Sequence, residues 1–115
     1  MLFDFSISEQ PTCVILSLSG ELIEKNQSMD LLKKVDELVE GGKTKIALDL
    51  ANLKYMNSSG LNSMIQLLTK ARKDGGEVVI CNMNKKINEL LLITKLNTLF
   101  KVVDTEAEAV ALLGK

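Results

Sequence analysis

Short apolar runs alternate with helical stretches along most of this chain. Residues 45–50 form an apolar run that precedes a helical stretch over residues 58–73. Residues 77–81 form another apolar run, which precedes a stretch with Ile87 and Leu91 at helical spacing. Strand–helix–strand units require right-handed crossovers and parallel pairing of their strands. The alternation therefore predicts an α/β fold with a largely parallel sheet.

The two ends of the chain supply further elements. Residues 2–8 alternate between polar and apolar side chains, and residues 13–19 form an apolar strand a few positions later. Their short connection favours an antiparallel hairpin. Residues 99–103 predict a last strand, and Thr105 with Glu108 has the spacing of a capping box that opens a final helix.

A further helix is predicted between the second and third strands. Asn26 or Ser28 could cap it, and Gly41-Gly42 would end it. Its buried stripe consists of Leu31, Leu32, Val35, Leu38 and Val39. The total is about five strands and about four helices. We expect one α/β domain over residues 1–115, with a mixed, mostly parallel sheet.

Composition and charge exclude several classes of function. Fourteen basic and fifteen acidic residues give a net charge of -1. This charge does not indicate a protein that binds nucleic acid. No apolar run approaches the roughly 18–20 residues of a membrane span, so no membrane insertion is expected. The chain is of ordinary size for one domain. Cys13 and Cys81 lie in apolar strands, which favours buried thiols and a cytoplasmic location.

The chain contains no histidine. Neither a Ser-His-Asp nor a Cys-His nucleophile system can be assembled, and imidazole ligation of a metal is impossible. No acid–base pair with a defined spacing is visible. We therefore expect no catalytic residues, no metal and no cofactor, and a protein that is not an enzyme.

The polar pentapeptide Asn57-Ser58-Ser59-Gly60-Leu61 lies where an apolar strand gives way to a helix. A helix N-terminus offers unpaired backbone N–H groups and a partial positive charge, so it favours anions. Asn57 and Ser58 could therefore cap the helix, or Ser58 could carry a modification. The residues alone leave both readings open.

Four segments together resemble the STAS domain of bacterial anti-sigma factor antagonists, and they cover essentially the whole chain. They are Gly20-Glu21-Leu22, then Asp49-Leu50 with residues 55–61, then residues 75–82, and finally residues 96–100 with 106–109. The resemblance implies a regulator whose phosphoacceptor is Ser58. Its implied partners are an anti-sigma serine kinase and a serine phosphatase. The sequence leaves a monomer and a weak dimer both open.

The resemblance also implies a partner-binding surface around the serine. Its members would be Glu21, Met56, Asn57, Ser58, Ser59, Gly60 and Asn62. Three of them also have a plainer interpretation: Met56 as a core side chain, Glu21 as a solvated turn residue and Ser59 as a helix-entry residue. The family usually has aspartate where this chain has Asn57. An alternative is therefore a non-phosphorylated STAS module that holds together a larger complex, such as a lipid-transport ATPase. A nucleotide sensor is a weaker third possibility, because no phosphate-binding glycine loop is present.

Overall fold

The structure is a computed structural model that describes residues 3–114, except for the side chain of Lys25. Its five strands are β1 (Asp4–Glu9), β2 (Val14–Leu22), β3 (Lys45–Met56), β4 (Glu77–Cys81) and β5 (Lys101–Val102). Its helices are α1 (Met29–Glu40), α2 (Ser58–Lys73), α3 (Lys85–Ile93) and α4 (Glu106–Leu113), with a 3-10 helix at Lys25–Ser28. Leu2, at the start of the predicted first strand, lies outside the described residues.

The strands form one sheet in the order β1-β2-β3-β4-β5. The β1–β2 hairpin is antiparallel, and the other three pairings are parallel. The predicted α/β fold and the mixed, mostly parallel sheet are confirmed.

The two faces of the sheet contribute to two separate apolar clusters. In β3, Ile46 and Leu48 belong to the larger cluster, which includes the buried sides of α1, α2 and α3. Ala47, between them, belongs to a smaller cluster beneath α4. Because successive side chains of a strand point to opposite faces, the unbroken apolar run of β3 serves both layers.

Strands β3 and β5 differ from their predicted lengths. Strand β3 continues to Met56, six residues past the predicted end, because it stays paired with the second half of β2 through two irregularities in the register. Strand β5 contains two residues instead of five. It is an edge strand paired only with β4, and Phe100 before it is buried in the larger core.

The start of α1 also differs from the prediction. Neither Asn26 nor Ser28 caps it with a side-chain hydrogen bond. Instead, Gln27 Oε1 accepts bonds from the backbone N–H groups of Ile23 and Glu24, each at 2.9 Å. Ser28 turns inward, and its hydroxyl lies 2.7 Å from that of Ser63 on α2. A tertiary contact between buried hydroxyls has replaced the local cap.

The caps predicted later in the chain are present. Asn84 Oδ1 accepts from the N–H of Ile87, and Thr105 Oγ1 accepts from the N–H of Glu108. Both are short polar residues at the N-cap of their helices.

Both cysteines are free and buried, as predicted. Burial raises the pKa of the Cys81 thiol to about 12, and the carboxyl groups of Asp49 and Glu106 add to that effect. A thiol with so high a pKa is an apolar core group rather than a nucleophile.

Gly60 permits the closest approach between α2 and the sheet. A Cβ placed on it would lie 2.3 Å from the carbonyl oxygen of Leu22 and 2.9 Å from Cβ of Met56. Since the first of these is a backbone atom, neither neighbour can yield without moving β2 or β3. Gly60 is therefore required by packing.

We expect Gly60→Ala to lower the free energy of unfolding by about 1 to 3 kcal/mol, as over-packing does. Gly41→Ala is the matched control, because its Cβ would meet only ordinary contacts at 3.5 Å. The control should keep or raise stability by up to about 1 kcal/mol. Urea titration measures both, and equal stabilities of the two variants would contradict the packing account.

Two carboxyl groups meet where α4 begins beside β3. Burial tends to raise the pKa of Asp49, but hydrogen bonds with Glu106, the N–H of Ala51 and the amide of Asn82 outweigh it and lower that pKa. The shared hydrogen bond with Asp49 is the main cause that raises the pKa of Glu106. Glu106 thus favours folding most when protonated, and this contribution is lost as the pH rises through its folded-state pKa. Asp49 acts oppositely, since its contribution is lost as the pH falls.

Glu106→Gln should therefore match the wild type near pH 4 and be more stable at pH 7, by about 1 kcal/mol or less. The amide donates to Asp49 at either pH, whereas the ionised carboxylate cannot. Thermal unfolding across this pH range tests the expectation. Glu89→Gln, at an exposed position of α3, is the control and should follow the wild type throughout. If the difference in stability between Glu106→Gln and the wild type does not grow with pH, the hydrogen bond between Asp49 and Glu106 is refuted.

Candidate functional site

The predicted site lies where β2 and β3 end together and α2 begins. Leu22 and Met56 are aligned as the last residues of these parallel strands. Asn57 follows as the N-cap of α2, and Ser58 is the first residue of the helix. The strand ends therefore bring a second segment, the β2–α1 connection, beside the serine.

Asn57 uses both its backbone and its side chain to join these segments. Its N–H donates to the carbonyl of Leu22 at 3.3 Å, and its carbonyl accepts from the N–H of Leu61 at 2.9 Å. Its Oδ1 accepts from the N–H of Gly60 at 3.1 Å, which is the predicted cap. Its Nδ2 donates to the carbonyl of Ile23 at 2.9 Å.

The bond to Ile23 gives a physical reason for an amide at this position. An aspartate could accept from Gly60, but it has no proton to donate to a carbonyl. A second carboxylate oxygen would instead face the oxygen of Ile23. The departure from the family's usual aspartate thus coincides with a tertiary hydrogen bond that only the amide can make.

Ser58 is exposed, and its hydroxyl has no hydrogen-bond partner in the part of the chain that the structure describes. The first turn of α2 contains no acidic side chain. Ser59 is half-buried, and its carbonyl lies 3.2 Å from the hydroxyl of Ser63. Neither serine hydroxyl has a hydrogen-bond partner among the described residues, and the Ser58 side chain is the more exposed of the two.

The other residues predicted for the site differ in how far their side chains are exposed. Asn62 is exposed one helical turn after Ser58, and so lies on the same side of α2. Glu21 is half-buried in β2, aligned with Tyr55 of β3. Gly60 is buried. Of the two interpretations of Met56, the core side chain is confirmed and the place on the partner-binding surface is wrong: its side chain is 0% exposed, because it packs in the larger core under α2.

Three exposed apolar side chains lie at this end of the sheet and were not predicted as part of the site. Ile23, Met29 and Tyr55 are 38%, 63% and 40% exposed. The exposure of Met29 could have been predicted, because this residue falls outside the buried stripe of α1. We use the term serine face for Ser58, Asn62, Ile23 and Met29. Large exposed apolar side chains that are grouped with polar ones mark surfaces that bind other proteins.

Residues 3–114 were also searched for a metal site and for a membrane-spanning helix. No group of three or more His, Cys, Asp or Glu side chains there could hold a metal ion. None of the described helices is long and apolar enough to cross a membrane.

Comparison with known proteins agrees with the fold and with the sequence motifs. A family model of the STAS domain matches residues 4–109. The anti-sigma F factor antagonist of Paenibacillus polymyxa is 31% identical over 97 residues, which are 84% of this chain and 82% of that protein.

Two solved structures are similar over nearly the whole chain. One, from Thermotoga maritima, is provisionally described as an anti-sigma factor antagonist; it superposes with a TM-score of 0.84 at 27% identity, covering 96% of this chain and 95% of its own. The Bacillus cell fate determinant SpoIIAA in its phosphorylated form has a TM-score of 0.74 at 20% identity, covering 96% and 99%. With a family model that spans most of its length, this chain belongs to the STAS-domain family.

Proposed function

We propose that this protein is an anti-sigma factor antagonist that is switched by phosphorylation of Ser58, and that residues 1–115 act as one STAS domain. The unmodified form binds an anti-sigma serine kinase and so frees a sigma factor. A serine phosphatase restores this form after modification. The observation that carries the proposal is the exposed, unpartnered Ser58 hydroxyl at the first position of α2.

The chemistry asks little of this chain beyond presentation of one hydroxyl. The Ser58 oxygen attacks the γ-phosphorus of ATP held by the kinase. A new P–O bond forms as the bond to ADP breaks, and the hydroxyl proton passes to a base on the kinase. Asn57 holds the start of α2 in place, so Ser58 is presented on a fixed helix end. The absence of histidine from the sequence is no obstacle, because the partner supplies the base.

Phosphate on Ser58 would act on the partner more than on the fold. It adds about -1.5 to -2 charge. The side chain is exposed, and the first turn of α2 has no acidic residue to repel it. The positive end of the helix tolerates the charge. A docked protein would lose contact with Ile23 and Met29 and meet a dianion, and about 3 kcal/mol of such loss weakens binding roughly a hundredfold.

The observation on Asn57 also favours a second candidate. Its amide donates one hydrogen bond to the β2–α1 connection and accepts another that caps α2. A STAS module that is never phosphorylated needs only this structural role. Such a module would bind its complex through the same serine face, with Ser58 as a helix-entry residue.

Incubation with the partner kinase and ATP, followed by intact mass measurement, separates the two candidates. We expect one added phosphate on the wild type, one on Ser59→Ala and none on Ser58→Ala. Ser59→Ala is the matched control, because it removes the neighbouring hydroxyl of the same turn. A phosphate retained by Ser58→Ala would refute the assignment of the acceptor. No phosphate on the wild type, with a kinase active on another substrate, would favour the unmodified module.

The amide of Asn57 can be tested by its conversion to a carboxylate. Asn57→Asp should unfold with about 1 kcal/mol less free energy, since one hydrogen bond is lost and the helix-end attraction for a carboxylate offsets part of the loss. Asn62→Asp is the control, because it adds the same charge one turn away without removing a bond. Urea titration compares the two.

If Asn57→Asp proves as stable as Asn62→Asp, the bond to Ile23 contributes nothing. Phosphate transfer measured on the same variants gives a separate answer. A faster transfer to Asn57→Asp despite its lower stability would identify a carboxylate as the element that the kinase recognises.

A further inference from the structure

Three lysines surround one hollow at the carboxyl end of the sheet. The hollow has a volume of about 310 Å³ and is lined by Lys54, Asn84, Lys85 and Lys86. Lys54 lies near the end of β3, and Lys85 and Lys86 are the first two residues of α3. All three lysines are exposed. We call Lys54, Lys85 and Lys86 the lysine cluster.

No carboxylate neutralises the lysine cluster. In residues 3–114, none of the three ammonium groups lies within 4.0 Å of an acidic oxygen or has another partner. Glu89, one turn along α3, and Asp104, across an adjoining hollow, are the nearby acids in sequence and space. Elsewhere, five basic residues form ion pairs and the described lysines Lys33, Lys45, Lys73 and Lys95 do not, so the cluster is distinguished by three unpaired lysines that share one hollow.

The position of two of these lysines works against the stability of the helix. Cations are unfavourable at a helix N-terminus, where the partial charge is positive. Lys85 and Lys86 occupy that end of α3, whose first turn contains no acidic side chain. Lys54 brings a third like charge to the same hollow. Folding alone therefore gives no reason for this arrangement.

The cluster is held in a fixed geometry. Asn84 caps α3 through Oδ1, and its Nδ2 donates to the carbonyls of Leu53 and Lys54 at 2.9 and 3.2 Å. The start of α3 is thereby tied to the end of β3, which carries Lys54. A partner would meet charges whose backbone positions are set in advance.

We propose that the lysine cluster is a docking surface for an acidic segment of a protein partner. Uncompensated positive charge is complementary to aspartate and glutamate side chains. The charges lie on an open rim, and no buried side-chain polar atom among the described residues lacks a hydrogen bond, so nothing inside awaits a small enclosed ligand. With a net charge of -1 for the whole chain, three lysines are too small a positive patch for nucleic acid or a membrane surface. The proposal does not depend on phosphorylation of Ser58.

The test uses the full chain labelled with ¹⁵N and hexaglutamate as the probe. We expect amide resonances of Lys54, Asn84, Lys85 and Lys86 to shift on titration, and added salt to weaken the binding. The triple variant Lys54→Glu, Lys85→Glu, Lys86→Glu should bind roughly tenfold more weakly or not at all. The matched triple reversal of Lys33, Lys45 and Lys73, which are exposed lysines elsewhere, should retain the wild-type affinity.

A second readout separates docking from a structural role. Lys85→Glu with Lys86→Glu should raise the thermal unfolding midpoint while it weakens hexaglutamate binding, because acids are favoured at a helix N-terminus. A lowered midpoint would mean that the lysines support the fold and would overturn the argument. The proposal also fails if the shifts spread evenly over all lysines. Stronger binding of a ten-nucleotide single-stranded DNA or of phosphatidylserine vesicles would likewise refute an acidic protein segment.

Discussion

The two hydrogen bonds of the Asn57 side chain hold together the segments from which the candidate site is built. In one, Oδ1 accepts from the N–H of Gly60 and so caps α2. In the other, Nδ2 donates to the carbonyl of Ile23, 34 positions earlier in the chain. They work only because Gly60 has no side chain, since a Cβ there would collide with the carbonyl of Leu22. Ser58 is therefore placed by tertiary contacts and not by a free loop. A fixed hydroxyl is what a protein substrate should present to an enzyme that recognises its fold.

Local patterns predicted the elements that are buried on both faces or marked by clear end signals. Strand β4 and helix α2 have the predicted bounds, because the apolar run of the strand and the helical spacing of α2 are both local patterns within one segment. The cap by Asn57, which the sequence offered as one of two roles, is also a local feature and is present. Its bond to Ile23 could not be predicted, because it depends on the register between β2 and β3. For Met56 the sequence left a core position and a surface position open, and the same register decides for the core. The contact of Ser28 could not be predicted either, because its partner Ser63 is 35 residues away in the chain.

The site and the lysine cluster use the same end of the sheet for different chemistry. The serine face combines one free hydroxyl with exposed apolar side chains, and a phosphate on Ser58 would place a dianion among them. The lysine cluster keeps positive charge at the start of α3, where the helix itself disfavours it. Both are built on N-cap asparagines that donate to backbone carbonyls at the ends of strands, Asn57 to Ile23 and Asn84 to Leu53. The fold thus gives rigid support to the surfaces that a partner would meet.

The central claim is that charge on Ser58 controls binding while the fold stays unchanged. Its most direct test is calorimetric titration of the partner kinase with the unmodified protein and with protein phosphorylated at Ser58. The account predicts affinity that is roughly a hundredfold weaker for the phosphorylated form. Amide spectra of the two forms should differ only around the start of α2. Equal affinities, with the phosphate shown to be present, would contradict the switch.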